Sequence, residues 1–487
     1  MELAMKLDPA KYPGLPQGSQ GNYNKRTQTF QVFLEGQFRS PWCKTHRQSI
    51  GKIDREGNFS FSENYLLQQK LHLIETGTTE RDEAEEQPIK TVVESLEHAI
   101  ADSDLETRRA KYCSVPMTAL MLGSLMQALT GDTDCVSIGD FITRNKDFFH
   151  KYIPGCNFEN VSHDTVRRAL MVIEPARFES FYLSTIHQIV TRSLCYRVVA
   201  ADGQAVRASG RTSEDNPAMH EASMFMNFYD TSNRVCLAQR RIEKKTNEIT
   251  VGPAMVECLD LRGCVVTADA MSCQVNFVTA VIKQGDYCIS LKGNQDACWK
   301  EVSCLFASAN EDQIQKWETK WEADHGRIEQ RTVSMLRGML LSKVIRDKWP
   351  GLSGGSVVKV DKQSTKKTTN RTTNETRYYI TSLPTKDQET AKNVGEIIRA
   401  HWGVENNLHW MLDNLFRQDR MQADNPNYLP NRCALNKLAL ALLENYRFFL
   451  WNKRGESPQL SIQLLQQRCR DPRVAIECIG YALGWLE

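Results

Sequence analysis

The residues from His401 to His409 combine a carboxylate with two imidazoles at helical spacing. At 3.6 residues per turn, His401, Glu405 and His409 fall on one face of a helix, together with the apolar residues Leu408 and Leu412. A carboxylate on a core-facing surface is costly unless a partner satisfies it. A metal ion is a partner of this kind, so Glu405 is a candidate metal ligand.

Two aspartates upstream each follow an apolar run that is typical of a buried strand. Asp202 follows Val198–Ala201, and Asp269 follows Val265–Ala268. Acids at the ends of buried strands are unusual, and ligands bind at the carboxyl ends of strands in a mostly parallel sheet. Two such aspartates and a helical glutamate would suit two-metal phosphoryl transfer, in which Mg²⁺ ions hold the attacking and leaving oxygens in line.

Other interpretations of the same residues remain open. Each aspartate alone is more often the first residue of a turn, and Asp202-Gly203 is a good turn dipeptide. The spacing of His401, Glu405 and His409 would also suit zinc. The adjacent His-Glu pair of the metalloprotease helix is absent, however, and no second cluster offers a further zinc ligand.

The composition is that of an ordinary globular protein. The chain has 487 residues, 41% hydrophobic and 25% charged residues and a formal net charge of +2, so it has room for two to four domains. The net charge neither requires nor excludes a polyanionic partner. Fifteen cysteines without framework spacing indicate reduced thiols. We therefore expect a soluble, cytoplasmic protein that does not enter a membrane.

The hydrophobic pattern divides the chain into segments of different character. Three strands are followed by helix, strand, helix and strand from about residue 195, which is the element order of a ribonuclease-H-like α/β sheet. We expect a mixed sheet core, with a Thr-, Lys- and Asn-containing loop at Asp361–Arg377 that carries net positive charge. The predicted segments are a partly extended N-terminal appendage (1–80), a helical domain (89–190), the α/β domain (195–450) with a β-rich insertion (293–385), and a C-terminal tail (451–487).

Basic residues at three places would suit contacts with phosphate groups. Lys244 and Lys245 lie in a basic segment beside the expected sheet edge, although such a segment is usually a solvated face. His325 and Arg327 flank the glycine of an expected hairpin, which is equally consistent with a plain β-hairpin.

The third place is an amphipathic helix that begins at Ser162, a good N-cap residue. It carries Arg167 and Arg168, which would suit a DNA-recognition helix. An amphipathic helix without this role is the more common case.

Taken together, these motifs resemble a DDE transposase of bacterial insertion sequences, on the branch that includes the H-repeat-associated proteins. The resemblance covers about residues 90 to 450. The segments that carry it are Ser162–Leu170, Ala201–Arg207, Glu243–Ile249, Leu259–Gly263, Val266–Gln274, Gly285–Gln295, His325–Arg327, Tyr378–Leu383 and Arg399–Arg420.

The resemblance implies that Asp202, Asp269 and Glu405 are the catalytic triad and the ligands of Mg²⁺ or Mn²⁺. It also implies a helical DNA-binding domain before the ribonuclease-H-like catalytic domain, with double-stranded DNA as partner and a homodimer in the DNA complex. Two positions depart from the family pattern: His401 replaces an arginine of many relatives, and Gln418 replaces a glutamate. The expected DNA contacts are His401, Arg207, Lys244, Lys245, Lys292, His325, Arg327, Arg167 and Arg168.

The function that follows is metal-dependent strand cleavage at the ends of an insertion sequence, and strand transfer of the released 3′-hydroxyl into target DNA. The alternatives are a domesticated sequence-specific DNA-binding protein that keeps only the fold, and a metal-dependent nuclease without transposition.

Overall fold

The computed structural model describes residues 5–12, 15, 19–25, 27–35, 47–62, 86–109, 113–190, 197–213, 216–220, 222–242, 248–324, 326–423, 425–457 and 459–486. The chain divides into two compact units, Met1–Gln87 and Pro88–Glu487. Each unit has its own hydrophobic core.

The first unit is an antiparallel sheet of five strands in sequential order. Val32, Ile50 and Ile53 alternate toward its core and are almost fully buried. The described part of this unit therefore consists mainly of paired strands. Its strands are β1 (Met5–Lys6), β2 (Gln20–Asn24), β3 (Thr29–Glu35), β4 (Arg47–Ile53) and β5 (Phe59–Phe61).

The second unit begins with helices, as the periodicity predicts. The second of them is almost wholly buried, because apolar or small residues occupy nearly all of its positions. Ser162 caps the fifth helix by accepting a hydrogen bond from the backbone N–H of Thr165, which confirms the predicted N-cap. These helices are α1 (86–102), α2 (Met117–Leu129), α3 (Cys135–Arg144), α4 (Lys146–Tyr152), α5 (His163–Val172) and α6 (Pro175–Val190).

The sheet that follows has the predicted order of three antiparallel strands and two further strands parallel to the first. β10 (Val235–Ile242) pairs with β9 (Ser223–Asp230), and β9 pairs with β6 (Arg197–Val206). β11 (Cys264–Ala268) then lies parallel between β6 and β12 (Asp286–Leu291). Helices α7 (Glu248–Val256) and α8 (Val275–Ile282) make the connections. The prediction of a ribonuclease-H-like mixed sheet is confirmed. A short hairpin, β7 (Arg211–Ser213) and β8 (Asn216–His220), lies outside it.

The insertion extends this sheet instead of leaving it. Its last strand pairs antiparallel with β12, and the other insertion strands follow outward, so one sheet of ten strands results. The prediction of a loop at Asp361–Arg377 is wrong, because most of this segment forms the paired strands β16 and β17. The insertion contains α9 (Asp296–Ser308), β13 (Gln315–Glu318), β14 (Glu322–Asp324), β15 (Arg327–Arg337), α10 (Lys343–Lys348), β16 (Ser356–Lys366) and β17 (Thr372–Thr381).

The chain then returns across one face of the sheet as α11 (Gln388–His401), whose buried residues pack on β6, β11, β15 and β16. A π-helical turn (Val404–His409) and α12 (Trp410–Leu415) continue it. The 27-residue helix α13 (Tyr428–Arg454) is largely buried.

The last segment does not form the expected tail. Residues from 459 onward form α14 (Ile462–Arg468) and α15 (Pro472–Leu483), and the buried face of α15 packs against α13, α2 and α6. Within the described residues, no helix is long and apolar enough to cross a membrane.

Candidate active site at the end of the parallel strands

Asp202 and Asp269 occupy neighbouring positions on two parallel strands. The ladder between β6 and β11 is in register up to Ala201 and Ala268, and the two aspartates are the next residues of each chain. Side chains at equivalent positions of parallel strands point to the same face of a sheet. The two carboxylates therefore lie side by side where this parallel ladder ends.

The face that carries them is the face covered by α11. Val198 and Val265 precede the two aspartates by four residues each, so they point the same way, and both pack with buried residues of α11. The helix thus leads directly toward the aspartates.

The two aspartates differ in local structure. Asp202 does not begin a turn, because β6 continues to Val206 and Asp202 pairs with Asn227 of β9. Asp269 does begin one: its Oδ1 accepts hydrogen bonds from the backbone N–H groups of Met271 at 2.9 Å and Ser272 at 3.4 Å. The turn interpretation is therefore wrong for Asp202 and correct for Asp269, where the turn uses one carboxylate oxygen, Oδ1.

The segment with Glu405 is attached to both strands by its two histidines. Nδ1 of His401 lies 3.0 Å from Oγ1 of Thr267, two residues before Asp269. Nδ1 of His409 lies 3.6 Å from Oδ2 of Asp202. Glu405 lies midway between these two contacts in the chain, within the π-helical turn, and its side chain is exposed.

Burial keeps both imidazoles uncharged at neutral pH. It lowers the pKa of His401 to about 4, against a smaller opposing effect of Asp269. It also lowers the pKa of His409 to about 3, and the positive charge of Lys437 adds to the decrease. His401 would therefore meet a DNA phosphate as a neutral hydrogen-bonding group and not as a cation.

His409 also hydrogen-bonds within the protein. Its Nε2 lies 3.3 Å from Nδ2 of Asn227, the residue that pairs with Asp202 across the strands. Because an amide nitrogen donates, Nε2 accepts, and the proton of the neutral ring is on Nδ1, which faces Asp202. Both ring nitrogens are thus directed at protein groups, which disfavours the zinc interpretation.

The donor set at the strand ends suits a hard cation. Carboxylate oxygens are the ligands that Mg²⁺ and Mn²⁺ prefer, and Asp202 and Asp269 supply them from adjacent positions. Among the residues that the structure describes, no three His, Cys, Asp or Glu side chains lie close enough to hold a metal ion. The oxygen ligands of the two aspartates suit such a site, but Glu405 does not complete a group of three with them in this structure.

Two of the expected DNA contacts lie near the same end of the sheet. Arg207 directly follows β6; its backbone N–H donates to Oδ1 of Asp419 at 2.9 Å, and most of its side chain is exposed. Lys292 directly follows β12 and is exposed. Arg207 therefore extends from the end of the strand that carries Asp202, and Lys292 from the end of the strand that neighbours β11, which Asp269 follows.

The remaining expected contacts are placed elsewhere or lie outside the described residues. Arg167 and Arg168 are exposed on α5, which packs on α3 and α13. Arg327 is exposed at the tip of the hairpin of β14 and β15. Lys244, Lys245 and His325 lie outside the described residues.

A chain of buried amides near Asp202 has no counterpart in the sequence-based predictions. Gln204, on the same side of β6 as Asp202, donates to Oδ1 of Asp413 at 3.1 Å and accepts from Gln418 at 3.2 Å. Gln418 accepts in turn from Asn436 of α13 at 3.1 Å. The one local signal is the alternation of Asp202 and Gln204 along a strand, together with Asn227 within the apolar run of β9.

Comparison with known proteins places the aspartates and Glu405 within one family match. Residues 193–442 match the family described as Transposase DDE domain. The protein YbfL of Escherichia coli (strain K12) is 29% identical over 356 residues, 70% of this chain and 88% of that protein. The H repeat-associated protein YhhI of the same organism, provisionally named a transposase, is 28% identical over 347 residues, 68% of this chain and 86% of that protein.

Among solved structures, the cryo-EM structure of a piggyBac transposase synaptic complex with hairpin DNA is similar, with a TM-score of 0.34 and 11% sequence identity. The similarity covers 78% of this chain and 77% of that chain.

Proposed function

The chain belongs to the Transposase DDE domain family and is a DNA transposase, and we propose that Asp202, Asp269 and Glu405 carry its chemistry. In this proposal the protein cuts one strand at each end of its own element. It then joins the released 3′-hydroxyl to target DNA.

The observation that carries the proposal is the register of β6 and β11, which brings Asp202 and Asp269 to adjacent positions on one face. The turn that contains Glu405 is anchored to the same two strands through His401 and His409. A glutamate held between two such contacts is well placed to join the aspartates when a cation offsets their mutual repulsion.

Asp202, Asp269 and Glu405 would hold Mg²⁺ or Mn²⁺ in this proposal. Bound metal ions supply activation of the attacking water or hydroxyl and stabilisation of the leaving oxygen. Thr267 and Asn227 orient the two imidazoles.

Double-stranded DNA is the proposed partner, as element end and as target, with a homodimer in the complex. Arg207 and Lys292 are proposed to contact phosphates at the strand ends, since both side chains are exposed there. We assign Arg167, Arg168, Arg327 and His401 to DNA as well, and Lys244, Lys245 and His325 on sequence alone. Residues 89–190 would serve as the DNA-binding domain and 195–450 as the catalytic domain.

The cytoplasm is the proposed location. The described cysteines are free thiols, which suits a reducing compartment.

Substitution of Asp202 tests the proposal. Asp202→Asn keeps the size of the side chain and removes its charge, so cleavage of DNA that carries the element ends should fall below detection. Binding of the same DNA should stay within about twofold, because phosphate contacts elsewhere provide it. Asp260→Asn, in an exposed loop, is the matched control and should cleave like the wild type. Loss of DNA binding in Asp202→Asn, with a normal melting temperature, would contradict the assignment.

The products of the wild-type protein decide between transposition and the alternatives. Cleaved ends together with joined target molecules are expected. Cleaved ends without joined molecules would indicate a nuclease, and binding without cleavage in Mg²⁺ or Mn²⁺ would indicate a domesticated DNA-binding protein.

A further inference from the structure

A groove rich in arginine lies between the helices of the N-terminal half and the segment that follows α12. It has a volume of about 960 Å³. Five arginines line it: Arg144, Arg417, Arg420, Arg432 and Arg470. They come from α3, from the residues after α12, from α13 and from the residues after α14, so four distant parts of the chain converge here.

The acidic residues of this arginine groove are engaged locally. Asp132 accepts hydrogen bonds from the Ser137 hydroxyl at 2.7 Å and the Asp134 N–H at 2.9 Å. Asp134 caps α3 by accepting from the N–H of Val136 at 2.9 Å. Arg144 is paired with Asp140 at 2.7 Å. The remaining four guanidinium groups exceed the charge of Asp132 and Asp134.

Most of the arginines lack a carboxylate partner. Arg417, Arg420 and Arg470 form no ion pair with any described residue, and all three are exposed. Arg432 donates to Tyr428 and Thr133, whereas its buried Nε has no hydrogen-bond partner among the described residues. A guanidinium group left in this state retains its capacity to bind an anion.

The backbone at Arg417 is unusual. Its φ of 53° and ψ of 33° lie in the left-handed region, directly after α12. A residue with a Cβ costs roughly 1–2 kcal/mol more there than glycine does. Arg417 is one of five described non-glycine residues with positive φ, and glycine would be less strained at this position.

The groove is coupled to the candidate active site through two contacts. Asp413 of α12 accepts a hydrogen bond from Gln204, two residues after Asp202. Asp419 accepts from the backbone N–H of Arg207. The segment that carries Arg417 and Arg420 is thereby fixed to the strand of Asp202.

We propose that the arginine groove binds backbone phosphates of the DNA duplex that the active site acts on, an inference that rests on the proposed function. Guanidinium groups match phosphate oxygens in geometry as well as in charge. Four guanidinium groups without a carboxylate partner among the described residues, spread over about 960 Å³, exceed the needs of a single phosphate ion and suit successive phosphates of one strand.

The test compares two variants that lose the same charge. The groove variant combines Arg417→Gln, Arg420→Gln and Arg470→Gln. The control combines Arg262→Gln, Lys283→Gln and Lys300→Gln, three exposed residues paired with carboxylates. The affinity of each for a 30-base-pair duplex of random sequence is measured from about 50 to 300 mM salt.

The groove variant should lose about 0.9 from the slope of log affinity against log salt for each phosphate contact removed, or almost 3 in total. Its affinity at about 0.1 M salt should fall roughly 100-fold, whereas the control should keep the wild-type slope. An unchanged slope in the groove variant would overturn the inference, as would an equal loss in the control.

A second variant tests whether misfolding of the triple variant could explain its loss of affinity. Arg417→Gly relieves the left-handed backbone, so it should be at least as stable as the wild type and still lose close to one unit of slope. If this variant binds DNA with wild-type affinity, Arg417 does not contact DNA phosphates.

The outcome is separable from that of the proposed function. If the groove variant shows a reduced salt slope but the wild-type protein neither cuts nor joins DNA, the inference that the groove binds DNA stands. The proposed transposition chemistry is then refuted. If the wild-type protein cuts and joins DNA but the groove variant keeps the wild-type salt slope, only the inference that the groove binds DNA is refuted.

Discussion

His409 lies between Asp202 and Asn227 and presents a different ring nitrogen to each. Since Asn227 donates to Nε2, the neutral ring carries its proton on Nδ1, toward the carboxylate. A neutral N–H group that faces a carboxylate restricts the orientation of that carboxylate. In the proposed active site, His409 would therefore hold Asp202 in position while remaining uncharged itself.

Replacing His409 should change the chemistry and not the binding of DNA. His409→Ala removes the group that orients Asp202, so single-turnover cleavage should slow about 10- to 100-fold and need a higher Mg²⁺ concentration. His409→Gln keeps a donor and should recover part of the rate. His187→Ala, an exposed histidine of α6, is the control. An unchanged rate and Mg²⁺ requirement in His409→Ala would show that Asp202 is oriented by other groups.

Asp413 provides a prediction on pH. Burial raises its pKa to about 6, and the nearby Asp419 raises it further, against the opposing effects of Arg207 and Gln204. The folded state then holds this proton more tightly than the unfolded state between about pH 3.8 and pH 6. The contribution of Asp413 to stability is therefore full below pH 3.8 and is lost as the pH rises through 6.

Asp413→Asn should accordingly raise the free energy of unfolding above pH 6 by about 1 kcal/mol, a value reduced from the full shift because the side chain is partly exposed. Asparagine keeps the oxygen that accepts from Gln204. Urea unfolding at about pH 4.5 and pH 8 measures the difference between variant and wild type. A gain of equal size at both pH values would mean that ionisation of Asp413 is not its cause.

At the level of single residues, the sequence could identify the acids but not their neighbours. Asp202 and Asp269 are recognisable because each follows an apolar run. Asn227 could not be recognised as part of the site from the sequence, because its partner His409 is 182 residues away. The pairing of β6 with β9 places Asn227 next to Asp202, where His409 reaches it. The backbone turn that uses Oδ1 of Asp269 and the continuation of β6 past Asp202 also depend on neighbouring strands.

Among the elements, the π-helical turn at Val404–His409 could not be predicted from helical periodicity. Over only six residues, the apolar pattern of an α-helix with 3.6 residues per turn is nearly the same as that of a π-helical turn. The wider turn contains one residue more than an α-helical turn and changes the direction of Glu405 relative to His401. Such turns are rare and are frequently found at functional sites.

Deletion of Asn406 should convert this turn to α-helix. Because π-helical hydrogen bonding is uncommon and the flanking helices can stay in place, the variant should fold and bind DNA like the wild type. Glu405 would point in a different direction, so cleavage should be lost. Asn406→Ala keeps the length of the turn and should cleave normally. Equal cleavage by the two variants would show that the wider turn has no part in the reaction.

The strands of the insertion were recognisable from alternation, whereas their partners were not. Alternation shows that a segment has two different faces but not which strand it joins. The pairing of β12 with β17 links segments about 90 residues apart, for example Ile289 with Ile380, and makes the insertion part of the main sheet. The strands of the predicted loop have polar, exposed residues, and this polarity is what suggested a loop.

For the molecule as a whole, the division into two units follows from two separate cores. The core of the first unit includes Val32, Ile50 and Ile53, and all its members precede residue 60. The main core of the second unit begins at Ile89 and includes residues up to Leu483. The C-terminal residues are therefore part of the larger fold, although their sequence gave little reason to expect it.

Truncation from the two ends should affect the stability of the larger unit very differently. A chain of residues 80–487 keeps every core residue of the larger unit, so its melting temperature should stay within about 2 °C of the wild-type transition of that unit. A chain of residues 1–458 loses fewer residues but also α15, whose Ile476, Ile479 and Leu483 are almost fully buried. At about 1.5–3 kcal/mol for each such side chain, the loss is comparable to the entire stability of a typical domain. This shorter deletion should therefore abolish the cooperative transition in a calorimetric or circular dichroism melt, and a folded 1–458 chain would show that α15 is dispensable to the core.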